Sequence, residues 1–310
     1  MELIEILFPI VAITTAGYFI RLKSYLSDTD GLSLEKVSFN ILIPCLLFFG
    51  TATADFPETI DWTLLGGFYI SVLIVYLFGM LIARLLYTYS LTELSVIGMG
   101  SSYSNVTIIG IPLCLQVFGN AAFLPIFIII SIHNILLFGF GVLVAGARKD
   151  SSSTVLQHLT LLLKDILRNP IIVSLLSGML VNLSNIRLYV PLASALSLIS
   201  QAAVPMALFT LGGALTRYKI AGNVNSALIM VLLKLLLLPF LVWLFVFHVF
   251  DVDPLWAGTA VLLSATPVGI SPYIFSIKYR AWESQIASAI VISSIFSIIT
   301  ISGFILLING

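Results

Sequence analysis

Apolar residues along this chain come in blocks of roughly twenty, separated by short polar gaps, and within the blocks they do not alternate with polar ones. A helix needs about 20 mostly apolar residues to cross a hydrocarbon core of ~30 Å. Strands of an outer-membrane barrel would instead show ten-residue alternation. The pattern predicts ten helical spans, at 3–20, 33–54, 62–87, 94–117, 121–147, 169–185, 189–215, 224–248, 255–276 and 284–308. The first carries Glu2 and Glu5 at its start and has no basic leader or small-residue cleavage site, so it reads as a retained helix rather than a signal peptide.

Composition agrees with an all-α integral membrane protein. Hydrophobic residues make up 60% and charged residues 9%, against about 25% charged in a soluble domain. Threading the basic residues through ten spans puts Arg21, Lys23, Lys36, Arg84, Arg148, Lys149, Lys164, Arg168, Arg217, Lys219, Lys278 and Arg280 on one side and Arg187 on the other. Basic residues gather in cytoplasmic loops, so both termini are expected outside and the protein in a cell (inner) membrane. Net charge is zero, which gives no reason to expect a nucleic-acid partner. Cys45 and Cys114 fall in separate spans and read as reduced packing residues rather than a disulfide or metal pair.

The two halves of the chain resemble each other. Pro9, Gly17 and Pro44 recur as Pro170, Gly178 and Pro205, each 161 residues later (170 − 9, 178 − 17, 205 − 44). Pro112 meets Pro272 at a shift of 160. Five spans per half is odd, so the second copy must enter the membrane from the opposite side. The expected organisation is a first five-helix repeat at 1–147, a cytoplasmic loop at 148–168 and an inverted second repeat at 169–310. Inverted repeats build secondary transporters whose substrate site lies near the midplane, at discontinuous helices in matching positions.

Two stretches qualify as such interruptions, "SNVTIIGIPL" (Ser104 to Leu113) and "SATPVGISPY" (Ser264 to Tyr273). Proline removes a backbone donor and disfavours helix at the residue before it. Unwound backbone inside a membrane is tolerated only where it is buried in protein or lines a cavity. A half-helix that restarts after a break points its first N–H groups, with partial positive charge, into that cavity. An anionic substrate is therefore expected there. Candidate binding residues are Asn105, Thr107, Ile108, Gly110 and Pro112 on the first stretch, and Thr266, Pro267, Gly269, Ser271, Pro272 and Tyr273 on the second.

Lys234, in "LLKLLLLP", is the one charged residue deep within a span and joins the candidates, since an intramembrane ammonium is a functional-site hypothesis by default. It could attract an anion, pair with carbonyls at a break, or stand in for a coupling cation. His133 and Asn134 form the remaining mid-span polar pair and are candidates for ion coupling; a structural histidine bonded to a neighbouring helix is the competing reading.

The stretches "SNVTIIGIPL", "KLLLLP" and "ATPVGISPYIFSIKY", in this order and spacing, resemble the auxin efflux carrier family, which includes plant PIN transporters and prokaryotic malonate-type carriers. The resemblance runs end to end. It implies ten helices in two inverted five-helix repeats, a scaffold part and a transport part, and broken helices 4 and 9 crossing at the substrate site, a fold related to that of bile acid sodium symporters. Asn105 would be the crossover asparagine, Pro112 and Pro267 crossover prolines, and Lys234 would stand where the plant proteins tend to have a basic residue. The second crossover offers Thr266 rather than an asparagine, and the long central domain of the plant carriers shrinks to about twenty residues.

The resulting expectation is a secondary transporter, an efflux carrier by family habit, that moves a small mono- or dicarboxylate by alternating access. The alternatives are a sodium- or proton-coupled symporter of organic anions and a non-transporting anion sensor or channel. An enzyme is not expected, because no HExxH, GxSxG or paired intramembrane aspartates occur. No cofactor is expected beyond a coupling sodium or proton. Expected partners are the anion, the lipid bilayer and, as an open question, a second copy of the chain.

Overall fold

Prolines and small polar residues decide where the helices of this chain bend, widen and break. The computed structural model describes residues 3–54, 60–86, 89–146 and 168–309. The expected loop 148–168, apart from Arg168, lies outside the described residues. In chain order the α-helices are α1 (Leu3–Leu22), α2 (Asp28–Val37), α3 (Ile43–Ala52), α4 (Thr63–Leu86), α5 (Leu91–Ser102), α6 (Ile111–Phe118) and α7 (Phe123–Gly146). They continue as α8 (Pro170–Leu183), α9 (Val190–Leu215), α10 (Val224–Leu232), α11 (Leu238–Leu244), α12 (Pro254–Ala265), α13 (Ser271–Tyr279) and α14 (Glu283–Asn309).

Among the described residues, seven helical stretches are long and apolar enough to cross a membrane: Leu3–Leu22, Asp28–Ala52, Thr63–Leu86, Val106–Gly146, Val190–Leu215, Val224–Val249 and Glu283–Ile308. Pro170–Leu183 and Pro254–Ala265 are shorter apolar helices. The expected spans at 94–117 and 255–276 are each interrupted. The first stops at Ser102 and resumes at Val106; the second stops at Ala265 and resumes at Ser271.

Proline also widens helices without breaking them. Ahead of Pro44, residues Ser38–Leu42 form a π-helical turn in which the Ile43 N–H reaches back five residues to the Ser38 carbonyl. Ahead of Pro239, Leu233–Leu237 do the same, with the Leu238 N–H on the Leu233 carbonyl. A proline ring lacks the donor and clashes with the carbonyl four residues back, and a π turn opens the spiral enough to relieve both. Lys234 is the second residue of the latter turn.

The helices group into two compact units, each drawing on both halves of the sequence. The first gathers α1 to α3, α6, α8 and α9; the second gathers α4, α5, most of α7 and α10 to α14. In the first unit α1 packs on α9 and α3 on α8, at glycine contacts close enough for backbone to touch backbone. A methyl group on Gly17 would overlap the Phe209 carbonyl, and one on Gly212 the Thr14 carbonyl. A methyl group on Gly178 would lie 2.5 Å from the Phe48 carbonyl oxygen. Small residues at such contacts let helices approach where lipid supplies no hydrophobic drive between them. Asn182 of α8 closes the other end of its pair, donating from Nδ2 to the carbonyls of Thr51, Ala52 and Ala54 at the end of α3.

Overpacking at a backbone contact costs typically about 1–3 kcal/mol. Gly212→Ala is therefore expected to lower the thermal midpoint of the detergent-solubilised protein by several degrees. Gly139→Ala, where an added methyl meets nothing within 4 Å, should leave it unchanged or raised. Equal midpoints for the two variants would contradict the α1–α9 packing.

Candidate functional site

In the second unit the two interruptions meet. Tyr103 leaves the helical region at φ −80°, ψ 115°, and Thr266 does so at φ −62°, ψ 155°. The extended segments pair as an isolated antiparallel bridge between Ser104 and Val268. The Asn105 N–H donates to the Pro267 carbonyl at 3.0 Å and the Gly269 N–H to the Tyr103 carbonyl at 3.2 Å. Each break thereby satisfies part of the other's backbone, as an unwound segment in a membrane interior must. Ser104 and Val268 themselves form the non-hydrogen-bonded pair of the bridge, so their own polar groups point outward. The outward N–H of Val268 donates to Ser293 Oγ of α14 at 3.0 Å.

The glycines in both stretches are steric necessities. A methyl on Gly110 would lie 2.6 Å from a Leu263 methyl, and one on Gly269 would lie 2.8 Å from the Tyr103 ring. Tyr103 therefore lies over the second break, and its hydroxyl donates to Asn134 Oδ1 of α7.

Lys234 reaches the end of α12. Its Nζ donates to the Ser264 and Thr266 carbonyls, each at 2.6 Å, and the residue is 0% exposed. A cation belongs at a helix C-terminus, where unpaired carbonyls carry partial negative charge. Of the roles open to this lysine from sequence, pairing with carbonyls at a break is the geometry found. The Thr266 hydroxyl is turned back to the Leu263 carbonyl at 2.8 Å and is fully buried.

The restarting half-helices differ from each other. Asn105 Oδ1 accepts from the Ile108 N–H at 3.2 Å and the Asn105 carbonyl accepts from the Gly110 N–H at 3.1 Å. This caps the π turn Val106–Gly110 that leads into α6 and fixes the amide so that Nδ2 is left without a partner among the described residues. Thr107 is half-buried, with no hydroxyl partner among the described residues; Ile108 is buried. At the second break α13 starts with Ile270 in the capping position and no side-chain cap. Ser271, Pro272 and Tyr273 form its first turn, and the half-buried Tyr273 ring stands edge-on to Tyr218 at 5.1 Å.

Pro112 is the second residue of α6 and falls in the first unit. The interruption lies up-chain of it, at Tyr103–Asn105, because the π turn absorbs the missing donor before α6 begins. Pro267 lies in the break itself, and Pro272 occupies the first turn of α13, where a missing N–H removes nothing. His133 and Asn134 stand beside the crossing through Tyr103. Tyr103 and Ser293 carry contacts that sequence reading missed. The only signal for Tyr103 was its place directly before the interrupted stretch.

The membrane transport protein family matches residues 2–305. The chain belongs to this family, that of the auxin efflux carriers. It is also 25% identical over 319 residues, covering all of this chain and 97% of the relative, to a Rhizobium meliloti (strain 1021) protein named "Putative malonate transporter". As a member of a transport family this multi-pass membrane protein has two interrupted helices to account for, and the residues around them are those that carried the family resemblance.

Replacing Lys234 with Met leaves the buried Thr266 carbonyl without its donor and the Ser264 carbonyl with only the Ser104 hydroxyl at 3.5 Å, and an unsatisfied buried group costs about 1–3 kcal/mol. Lys234→Met is expected to lower the thermal midpoint markedly, whereas Lys219→Met, at an exposed position, should not. A Lys234→Met protein as stable as the parent would remove the lysine from the end of α12.

Proposed function

We propose that this family member is a secondary transporter that moves a small organic anion, a mono- or dicarboxylate, by alternating access at the crossing of its fourth and ninth spans. The observation that carries the reading is that each interrupted stretch keeps a donor: the uncapped N-terminus of α13 on one, and on the other Asn105 Nδ2, which has no partner among the described residues. A carboxylate fits both. It suits the partial positive charge of a helix start, and charge-assisted hydrogen bonds are roughly twice as strong as neutral ones. Thr107 and Ser271 offer hydroxyls, Ile108 and Tyr273 apolar surface, while Gly110, Gly269, Pro267 and Pro272 shape the backbone around the anion. The relative named for malonate keeps dicarboxylates in the class.

The same reading takes the ten spans as an inverted five-helix repeat, with 148–168 as the cytoplasmic loop and both termini outside. One pair of contacts supports it. Gly17 meets Phe209, and Gly178 meets Phe48, and the residues of these contacts are related by one shift (178 − 17 = 161, 209 − 48 = 161). Two halves folded alike and facing opposite ways produce such a pair. Lys234 lends its field to the anion without touching it, since its Nζ is held on the α12 carbonyls where a coupling cation would otherwise bind. Efflux is the direction that the family resemblance suggests.

Two substitutions at Asn105 separate its cap from its donor. Asn105→Asp keeps the acceptor for Ile108 and replaces the donor with a negative charge; Asn105→Ala removes both. Losing a hydrogen bond to a charged group costs about 1.5–3 kcal/mol, or roughly ten- to a hundredfold in affinity. Malonate and indole acetate uptake into proteoliposomes should show that loss in both variants, with the aspartate protein retaining parental stability. Unchanged affinity in the Asp variant would take Asn105 out of the site.

A further inference from the structure

Beside the crossing lie two buried groups without a hydrogen-bond partner among the described residues. His133 is 1% exposed and neither ring nitrogen has a hydrogen-bond partner among the described residues. The outward carbonyl of Ser104 also has no donor among them, although the matching outward N–H of Val268 is taken by Ser293. The Ser104 backbone lies beside the imidazole, without a hydrogen bond of regular geometry to either ring nitrogen. Buried polar groups in folded proteins are almost always paired. Two orphans side by side require an explanation.

A neutral imidazole has one N–H and one lone pair. A small ring rotation would give the N–H to the Ser104 carbonyl, which follows the end of α5, as Lys234 already serves the end of α12. The lone pair would still have nothing to accept. The titratable and charged groups that face the ring are Tyr69 from α4, Tyr103 from the first break and Lys234 from the π turn before α11. Both hydroxyls are committed elsewhere, Tyr69 to the Ile129 carbonyl at 2.6 Å and Tyr103 to Asn134. Phe68 completes the surround, with ring centroids 5.9 Å apart. A buried lone pair with no donor turned towards it is a base waiting for a proton.

We propose that His133 binds the proton that travels with the anion, taking it on the unpaired ring nitrogen while the opposite N–H holds the Ser104 carbonyl. This rests on the organic-anion reading above and names its coupling ion. The lone pair takes a proton from water on one side of the membrane and returns it on the other, so nothing is oxidised or reduced. With Lys234 fixed on the α12 carbonyls, a second cation in this interior is uncompensated until the substrate carboxylate arrives at the crossing. Anion and proton therefore bind together, each raising the affinity for the other by the same factor. Sodium finds the corresponding carbonyls, those of Ser264 and Thr266, already occupied by the ammonium.

Calorimetric titration of malonate, and then indole acetate, into the purified full chain in buffers of different ionisation enthalpy counts protons taken up per anion bound. About one proton per anion is expected for the parent, none for His133→Gln, and about one for His248→Gln at an exposed position. His133→Asn serves as a second variant should the glutamine protein unfold. Parental binding without proton uptake, or uptake that survives in both His133 variants, overturns this inference and leaves the anion reading standing. Absence of binding by either carboxylate at millimolar concentration overturns the anion reading and this inference with it.

Discussion

Every backbone N–H and C=O inside a bilayer needs a partner within the protein, and the crossing of two interrupted helices is this chain's answer to that demand. The Ser104–Val268 bridge, the Lys234 ammonium, the Ser293 hydroxyl and the Asn105 amide each satisfy groups that the breaks release. The glycines at 110 and 269 exist because the partners must come close. The surrounding helices of the second unit position these few donors.

What the breaks leave unsatisfied is as telling as what they satisfy. A cation sits on the carbonyl end of α12, while the uncapped start of α13 and the Asn105 Nδ2 keep donors in reserve. This polarity separates a negative backbone end, held by the Lys234 ammonium, from the positive start of α13. On the proposed reading, backbone charge and geometry hold a carboxylate while the rest of the substrate meets apolar contacts.

The interruptions, their glycines and prolines, Asn105 and the intramembrane Lys234 were all legible in the sequence, because each violates the composition of an ordinary span. The position of the first break was less legible. Pro112 marks it in sequence, yet the unwinding falls at Tyr103–Asn105, since a π turn accommodates the proline's missing donor several residues early. The partners of Lys234 could not be read either. They are backbone carbonyls about thirty residues away, and a carbonyl leaves no mark in a sequence. Tyr103 and Ser293 went unnoticed for a related reason: in an apolar helical chain neither residue type is unusual until its neighbour is known.

The sequence by itself determined that this is a helical membrane protein of a transport family and where its helices are weakest, because hydrophobic length and proline chemistry are local properties. Tertiary structure alone decided which orphaned groups meet. Pairing Lys234 with the Ser264 and Thr266 carbonyls, and bringing His133 to an unpartnered Ser104 carbonyl, depends on how helices distant in sequence pack. Hydrogen bonding acts over about 3 Å, and only the folded chain sets distances on that scale.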